Sequence, residues 1–212
     1  MEERRLTEQE SLAIIAEMIQ KTKQELWLDR SRRLLIWGYV CVCAAVLNYL
    51  TLMLTHNPAA MLWWLLIPLA GLPLQRRIKS RGRSRGEAKS YVESITRKLW
   101  ILAATVIVAA IVMNVIFGLM GYHRVWIIIY VMALSTVGMA SAAQGIIIRE
   151  SSLVGGGIVG VAVGIFVGCC AIAGLNVNYV LIMPLFIVSM IGMIIVPGHI
   201  ISRKERELCS KS

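Results

Sequence analysis

Six apolar segments that contain no Asp, Glu, Lys or Arg constrain this chain more than any other feature. An α-helix needs about 20 apolar residues to cross roughly 30 Å of bilayer hydrocarbon, and five of the segments are that long. The remaining one is shorter and contains Pro68 and Pro73. The pattern predicts an all-α, polytopic transmembrane bundle of six helices. The segments cover residues 34–54, 59–74, 99–119, 125–148, 153–175 and 179–201.

The composition agrees with a membrane protein, since 58% of the residues are hydrophobic and only 16% are charged. Soluble domains contain about 25% charged residues. The few charges are also unevenly placed. Of the 22 basic residues, 21 lie in residues 1–33, the loop 75–98, the tail 202–212 or at Arg149, and the alternate connections contain only Arg124.

This distribution predicts the orientation, because cytoplasmic loops of membrane proteins are enriched in Lys and Arg. Six spans then place both termini, the basic loop 75–98 and the tail 202–212 in the cytoplasm. The positive-inside topology accounts for the net charge of +10, so no nucleic-acid partner is expected. The basic loop is expected to contact anionic lipid headgroups.

Residues 1–33 contain a predicted cytoplasmic amphipathic helix. Thr7 and Glu10 have the spacing of a capping box at its start. An apolar stripe then recurs at helical spacing. Four coverings of this stripe are open: the inner leaflet, the underside of the bundle, a second copy of the chain, or a separate protein. The stripe residues are Leu12, Ile15, Ile19 and Leu26.

Glycine recurs every four residues in the fifth apolar segment, at Gly156, Gly160, Gly164 and Gly168. Such a glycine zipper lets another transmembrane helix approach closely. Gly138 and Ala142 in the fourth segment offer small side chains to face it. We predict packing of the fifth helix against the fourth or sixth, with homodimerisation and a solute path as the alternatives.

Few side chains in the apolar segments could act on a substrate. None is a carboxylate that could couple transport to an ion gradient. The motifs HExxH and GxSxG are absent, so we predict no catalytic residue, metal site or cofactor, and no enzyme. Four polar residues are candidates for lining a pore: Asn48, Asn114, Ser135 and Thr136.

Several short motifs spread over almost the whole chain are familiar together. They are Leu6-Thr7-Glu8, Glu10-Ser11-Leu12, Ile19, Trp37-Gly38-Tyr39, Gly138 to Gly145, Gly155-Gly156 and Ile195-Val196-Pro197-Gly198. Through these residues the chain resembles a family of small six-span bacterial inner-membrane proteins from gut-type Gram-negative anaerobes. The resemblance implies an inner-membrane location and a regulatory or stress-related setting, since similar proteins are often encoded beside winged-helix regulators. It supplies no catalytic residues.

Two functional hypotheses follow. The first is a non-enzymatic membrane protein that acts through protein–protein interaction, with the stripe of residues 12–26 as its contact surface. The second is a small transporter for a neutral or amphipathic solute. It predicts a water-filled cavity at mid-depth, lined by the four polar residues named above.

Overall fold

A computed structural model describes residues 8–83, 91–122, 126–175 and 178–210 of the chain. Within these ranges the protein is almost entirely helical and contains no strand. The elements are α1 (Glu8–Thr55), a 3₁₀ helix (Pro58–Leu65), α2 (Leu66–Arg83), α3 (Tyr91–Leu119), α4 (Trp126–Ile148), α5 (Ser151–Ile172), α6 (Tyr179–Met190), a π-helical turn (Ile191–Ile195) and α7 (Val196–Ser210).

Five stretches of helix are long and apolar enough to cross a membrane, which confirms the membrane-type helical fold. They correspond to the first, third, fourth, fifth and sixth predicted segments. The end of the bundle near residue 31 is called the Ser31 end below, and the other is called the Thr55 end. The stretches are Ser31–Thr55, Ser94–Leu119, Trp126–Ile148, Ser151–Ile172 and Tyr179–Lys204.

The predicted boundary between an N-terminal helix and the first span does not coincide with a break. α1 is one helix of 48 residues that runs from Glu8 through the first span to Thr55. At 1.5 Å per residue it is about 72 Å long. Helix also extends into the predicted loop 75–98 and tail, because α2 continues to Arg83, α3 begins at Tyr91 and α7 continues to Ser210.

The second predicted segment, residues 59–74, is not one α-helix. It begins as a 3₁₀ helix of eight residues and continues into α2. Proline explains the change of geometry, since Pro68 has no N–H to donate to the carbonyl of Trp64. The segment runs antiparallel to α1, because Asn48 contacts Ala60 while Trp37 lies against Gly71.

Contacts between the remaining helices fix their relative directions. α3 and α4 are antiparallel neighbours joined by a short connection, and Trp100 of α3 reaches Gln144 of α4. The α4 and α5 helices are joined by the tight turn at Arg149 and Glu150, and they pack along their full length. The α6–α7 unit runs antiparallel to α1, with Tyr179 at the Thr55 end.

The sixth span widens into a π-helical turn between α6 and α7. Pro197 follows it directly and cannot donate to the carbonyl four residues earlier. The Val196 N–H instead bonds the Ile191 carbonyl, five residues back. This turn packs against α1, where Ile194 and Ile195 face Gly38.

The core lies around α4, whose buried residues include Tyr130, Leu134 and Ser141. α3 lies at the periphery and packs against α4, and against no other helix in the described ranges. Most of its apolar surface is exposed, as at Leu102 and Val115. Lipid tails would cover such a surface in a membrane.

Candidate functional site

The α4–α5 interface contains several glycines at close backbone approach. A Cβ atom built on Gly157 would lie 2.5 Å from the Gly138 carbonyl oxygen and 2.5 Å from the Ala142 nitrogen. One on Gly164 would lie 2.6 Å from the Ser135 hydroxyl, and one on Gly168 would contact Val131. Gly138 and Ala142 therefore face Gly157, a glycine that does not belong to the four-residue repeat.

Two glycines of that repeat face a different element. A Cβ on Gly156 would lie 2.9 Å from the Gly192 carbonyl oxygen, and one on Gly160 would lie 2.5 Å from the Met193 sulfur. α5 thus presents glycine to α4 on one side and to the π-helical turn on the other. This arrangement provides close packing in the absence of a hydrophobic driving force between helices in lipid.

Aromatic rings pack together at the Thr55 end of the bundle. Their centroids lie 5.6–6.4 Å apart, mostly edge to face, the range in which aromatic pairs attract. They come from α1, the 3₁₀ helix, α4 and α6, so they tie four elements together. This aromatic cluster consists of Tyr49, Trp64, Trp126, Tyr130, Tyr179 and Phe186.

Asn48 lies fully buried beside the aromatic cluster. Its amide nitrogen donates to the Ala60 carbonyl at 2.9 Å, and its amide oxygen accepts from the Tyr179 hydroxyl. The Asn48 side chain therefore joins α1 to the 3₁₀ helix and to α6. A buried amide with these partners has a structural role that requires no solute.

The other three candidate pore residues lie elsewhere. Ser135 faces Gly164 in the α4–α5 interface. Thr136 is buried on α4, and Asn114 is half-buried on the peripheral helix α3. The structure therefore places the four residues on three helices, with Asn48 and Ser135 in separate helix interfaces.

An ionic contact at the Ser31 end was missed by sequence reasoning. The Glu150 carboxylate accepts from Lys204 Nζ at 2.6 Å and from the Ser152 hydroxyl at 3.1 Å. The Glu150 side chain is only 9% exposed, whereas that of Lys204 is 58% exposed. The contact ties the α4–α5 turn to α7.

The sequence held one signal for this contact. Glu150 is the only acidic residue between Glu93 and Glu205, a stretch that includes four of the spans. An isolated charge beside a membrane segment needs a partner or water. The partner lies 54 residues away, so the spacing of residues along one helix could not identify it.

Two further polar contacts lie nearer the Ser31 end than the aromatic cluster. Trp100 Nε1 donates to the Gln144 amide oxygen at 2.6 Å and links α3 to α4. The Tyr39 hydroxyl lies 2.6 Å from His199 Nε2 and links α1 to α7. His199 is thus engaged with a neighbouring helix, and no group of three potential metal ligands occurs within the described ranges.

The predicted contact stripe lies on α1, but its side chains fall outside the part of the structure that is described. This applies to Leu12, Ile15, Ile19 and Leu26. Their backbone is helical and continuous with the first span.

Comparison of the chain with models of protein families, with curated proteins and with solved structures gave no match.

Proposed function

We propose that this protein is a non-enzymatic, six-span membrane protein of the bacterial inner membrane that presents its N-terminal helix to a second protein in the cytoplasm. The observation that supports this most directly is the continuity of α1 from Thr55 to Glu8. Residues 8–30 precede the first span, and as helix they are about 35 Å long. An uninterrupted helix continues along the direction of its span, whereas a helix lying on the leaflet would require a bend.

The directions of the helices support six spans. α6 is antiparallel to α1, α5 to α6, α4 to α5 and α3 to α4. α1 and α3 therefore point the same way, although they are consecutive among the five long apolar stretches. The chain between them has to return to the Ser31 end, which supports residues 58–74 as a sixth crossing.

The geometry of that return explains how so short a segment can cross. A 3₁₀ helix rises about 2.0 Å per residue, so residues 58–65 contribute about 16 Å. Residues 66–74 in α2 contribute about 13 Å at 1.5 Å per residue. The total of about 30 Å equals the thickness of the hydrocarbon.

Topology reporters test the six-span arrangement. Fusions of alkaline phosphatase, which is active only outside the cytoplasm, are expected to be active after residues 57, 122 and 176. Fusions of a green fluorescent protein, which matures only inside, are expected to fluoresce after residues 86, 150 and 212. Phosphatase activity after residue 86 would show that residues 58–74 do not cross, and six spans would then be wrong.

The bundle interior supports an interaction role over transport. The Asn48 side chain is hydrogen-bonded to the Ala60 carbonyl and to Tyr179 of the aromatic cluster, whose rings pack together at the Thr55 end. Leu134, Met183 and Met193 are fully buried in the apolar core. A solute would have to displace both layers, so the contact surface on α1 is the better-supported functional element.

Photo-crosslinking in living cells tests the contact surface. A photoreactive amino acid at Ile15 or Ile19 is expected to give a discrete crosslinked product. The matched controls are Gln20 for Ile15 and Gln24 for Ile19, and each control lies about 140° around the same helix from its stripe position. The control positions are expected to give at most a tenth of the product.

The mass of the product distinguishes the partners. Twice the mass of the chain indicates a second copy, and any other discrete mass indicates a separate protein. Equal labelling from the stripe and the control positions, or no product from the stripe, would contradict the proposed contact.

A further inference from the structure

A groove lies beside the α4–α5 turn at the Ser31 end of the bundle. It is shallow and open on one side, and its volume is about 490 Å³. One part of its wall is apolar and belongs to the two spans, and the other part is polar and belongs to the turn. This turn groove is lined mainly by Gly145, Ile146, Arg149, Val154, Gly155 and Ile158.

The apolar part of the turn groove faces away from the bundle. Ile146 is 68% exposed and Ile158 is 59% exposed, although both lie within membrane-type helices. Gly155 also lines the groove, and a Cβ atom built there would meet nothing within 4 Å. The absence of a side chain at Gly155 keeps this apolar part of the groove, called the trough below, open.

The polar part of the groove carries one positive charge that forms no ion pair with another described residue. Glu150 also lines the groove, but its carboxylate is neutralised by Lys204 at 2.6 Å. Arg149 is exposed and makes no ion pair with another described residue. The site therefore has a net charge of about +1 at the point where two spans end.

We infer that the turn groove binds an anionic phospholipid, with its headgroup phosphate on Arg149 and an acyl chain along Ile146, Val154 and Ile158 over Gly155. The two halves of the groove match the two halves of such a lipid. Arginine favours phosphate because its planar group donates two parallel hydrogen bonds. The first turn of α5 adds to this, since Glu150 makes no side-chain cap on its amides and a helix N-terminus favours an anion.

The position of the groove favours a lipid over free phosphate as the ligand. The Arg149 side chain lies at the end of α4, where the bilayer headgroups begin in the arrangement proposed above. The apolar trough continues from it toward the middle of the spans. The inference rests on that membrane arrangement and is independent of whether the N-terminal helix binds a protein.

Native mass spectrometry of the full-length protein in mild detergent tests the site, with dioleoylphosphatidylglycerol and dioleoylphosphatidylcholine as the two probes. The wild-type protein is expected to retain at least one phosphatidylglycerol under conditions that remove phosphatidylcholine. Arg149→Asn is expected to weaken that binding about fivefold or more. Asn tolerates the left-handed backbone at this position, where φ is +57°.

Two matched controls separate the groove from general attraction to basic residues. Lys98→Asn removes one charge from an exposed position near the start of α3, at the Ser31 end, and α3 does not contact α5 in the described ranges. It is expected to change phosphatidylglycerol binding less than twofold. Gly155→Leu fills the trough and is expected to reduce binding fivefold or more, whereas Gly118→Leu, also in open space, is expected to leave it unchanged.

Loss in Arg149→Asn and Gly155→Leu, with both controls retaining binding, supports the site. Equal loss in Arg149→Asn and Lys98→Asn, wild-type binding by Gly155→Leu, or equal retention of the two lipids would overturn it. Failure of the photo-crosslinking experiment would leave this measurement unaffected, so the two proposals fail separately.

Discussion

Adding a single methyl group at Gly157 is expected to prevent normal assembly of the bundle. In Gly157→Ala the new Cβ would lie 2.5 Å from both the Gly138 carbonyl oxygen and the Ala142 nitrogen. Both are backbone atoms of α4, which cannot move aside as a flexible side chain can. Relief therefore requires α4 and α5 to separate along the interface that they share over their full length. We expect a loss of about 3 kcal/mol or more, at the upper end of the cost of overpacking.

The matched control is Gly155→Ala, two residues earlier on the same helix. Its Cβ would meet nothing within 4 Å, so it changes intrinsic helix propensity equally without touching α4. Thermal unfolding of the purified proteins in mild detergent, followed by circular dichroism, gives the comparison. We expect wild-type stability for Gly155→Ala and aggregation or a much lower midpoint for Gly157→Ala. Equal midpoints would show that α4 and α5 are not packed at this distance.

This pair of glycines illustrates what the sequence could predict. The abundance of small residues in the fourth and fifth segments indicated close packing, and the structure places such residues in contact. The four-residue repeat did not identify Gly157 as the residue facing Gly138 and Ala142. The sequence reveals which residues are small, but the rotation of α5 about its axis depends on contacts with α4 and with the π-helical turn together.

Sequence reasoning missed the stretches that depart from regular α-helix, and it also missed the continuity of α1. The long apolar segments without Asp, Glu, Lys or Arg predicted the five long helical stretches. In a membrane the backbone groups of such a segment must be hydrogen-bonded internally, which a helix achieves. That rule does not distinguish an α-helix from the 3₁₀ helix Pro58–Leu65, which satisfies it with a different rise. Nor does it give the continuity of α1, since Arg30, Arg32 and Arg33 indicate a membrane boundary without breaking a helix.

The second large effect is expected at the ionic contact, and it should be asymmetric. In Lys204→Met the Glu150 carboxylate keeps only the Ser152 hydroxyl as a side-chain partner, while its side chain is 9% exposed. Leaving a buried charge without its partner is costly, and we expect a loss of about 2–3 kcal/mol. In Glu150→Gln the group left behind is Lys204, which is 58% exposed and can be hydrated. That variant is expected to lose less than about 1 kcal/mol.

Equilibrium unfolding by dodecyl sulfate in mixed micelles measures both variants. Arg203→Met is the matched control, because it removes the neighbouring cation of α7. Arg203 pairs with Glu207 at 3.4 Å, but both side chains are more than half exposed. Such a pair contributes little, so the control is expected to retain the stability of the wild-type protein.

The double variant Glu150→Gln with Lys204→Met decides whether the loss comes from the stranded carboxylate. If it does, removing the charge should restore most of the stability that Lys204→Met alone loses, because the glutamine amide introduced by Glu150→Gln carries no charge to desolvate. If the double variant is as unstable as Lys204→Met, the lysine acts instead through the packing of its aliphatic chain on the α4–α5 turn. Recovery would show that a single carboxylate at the membrane boundary fixes α7 to the turn between α4 and α5, and with it the geometry of the turn groove.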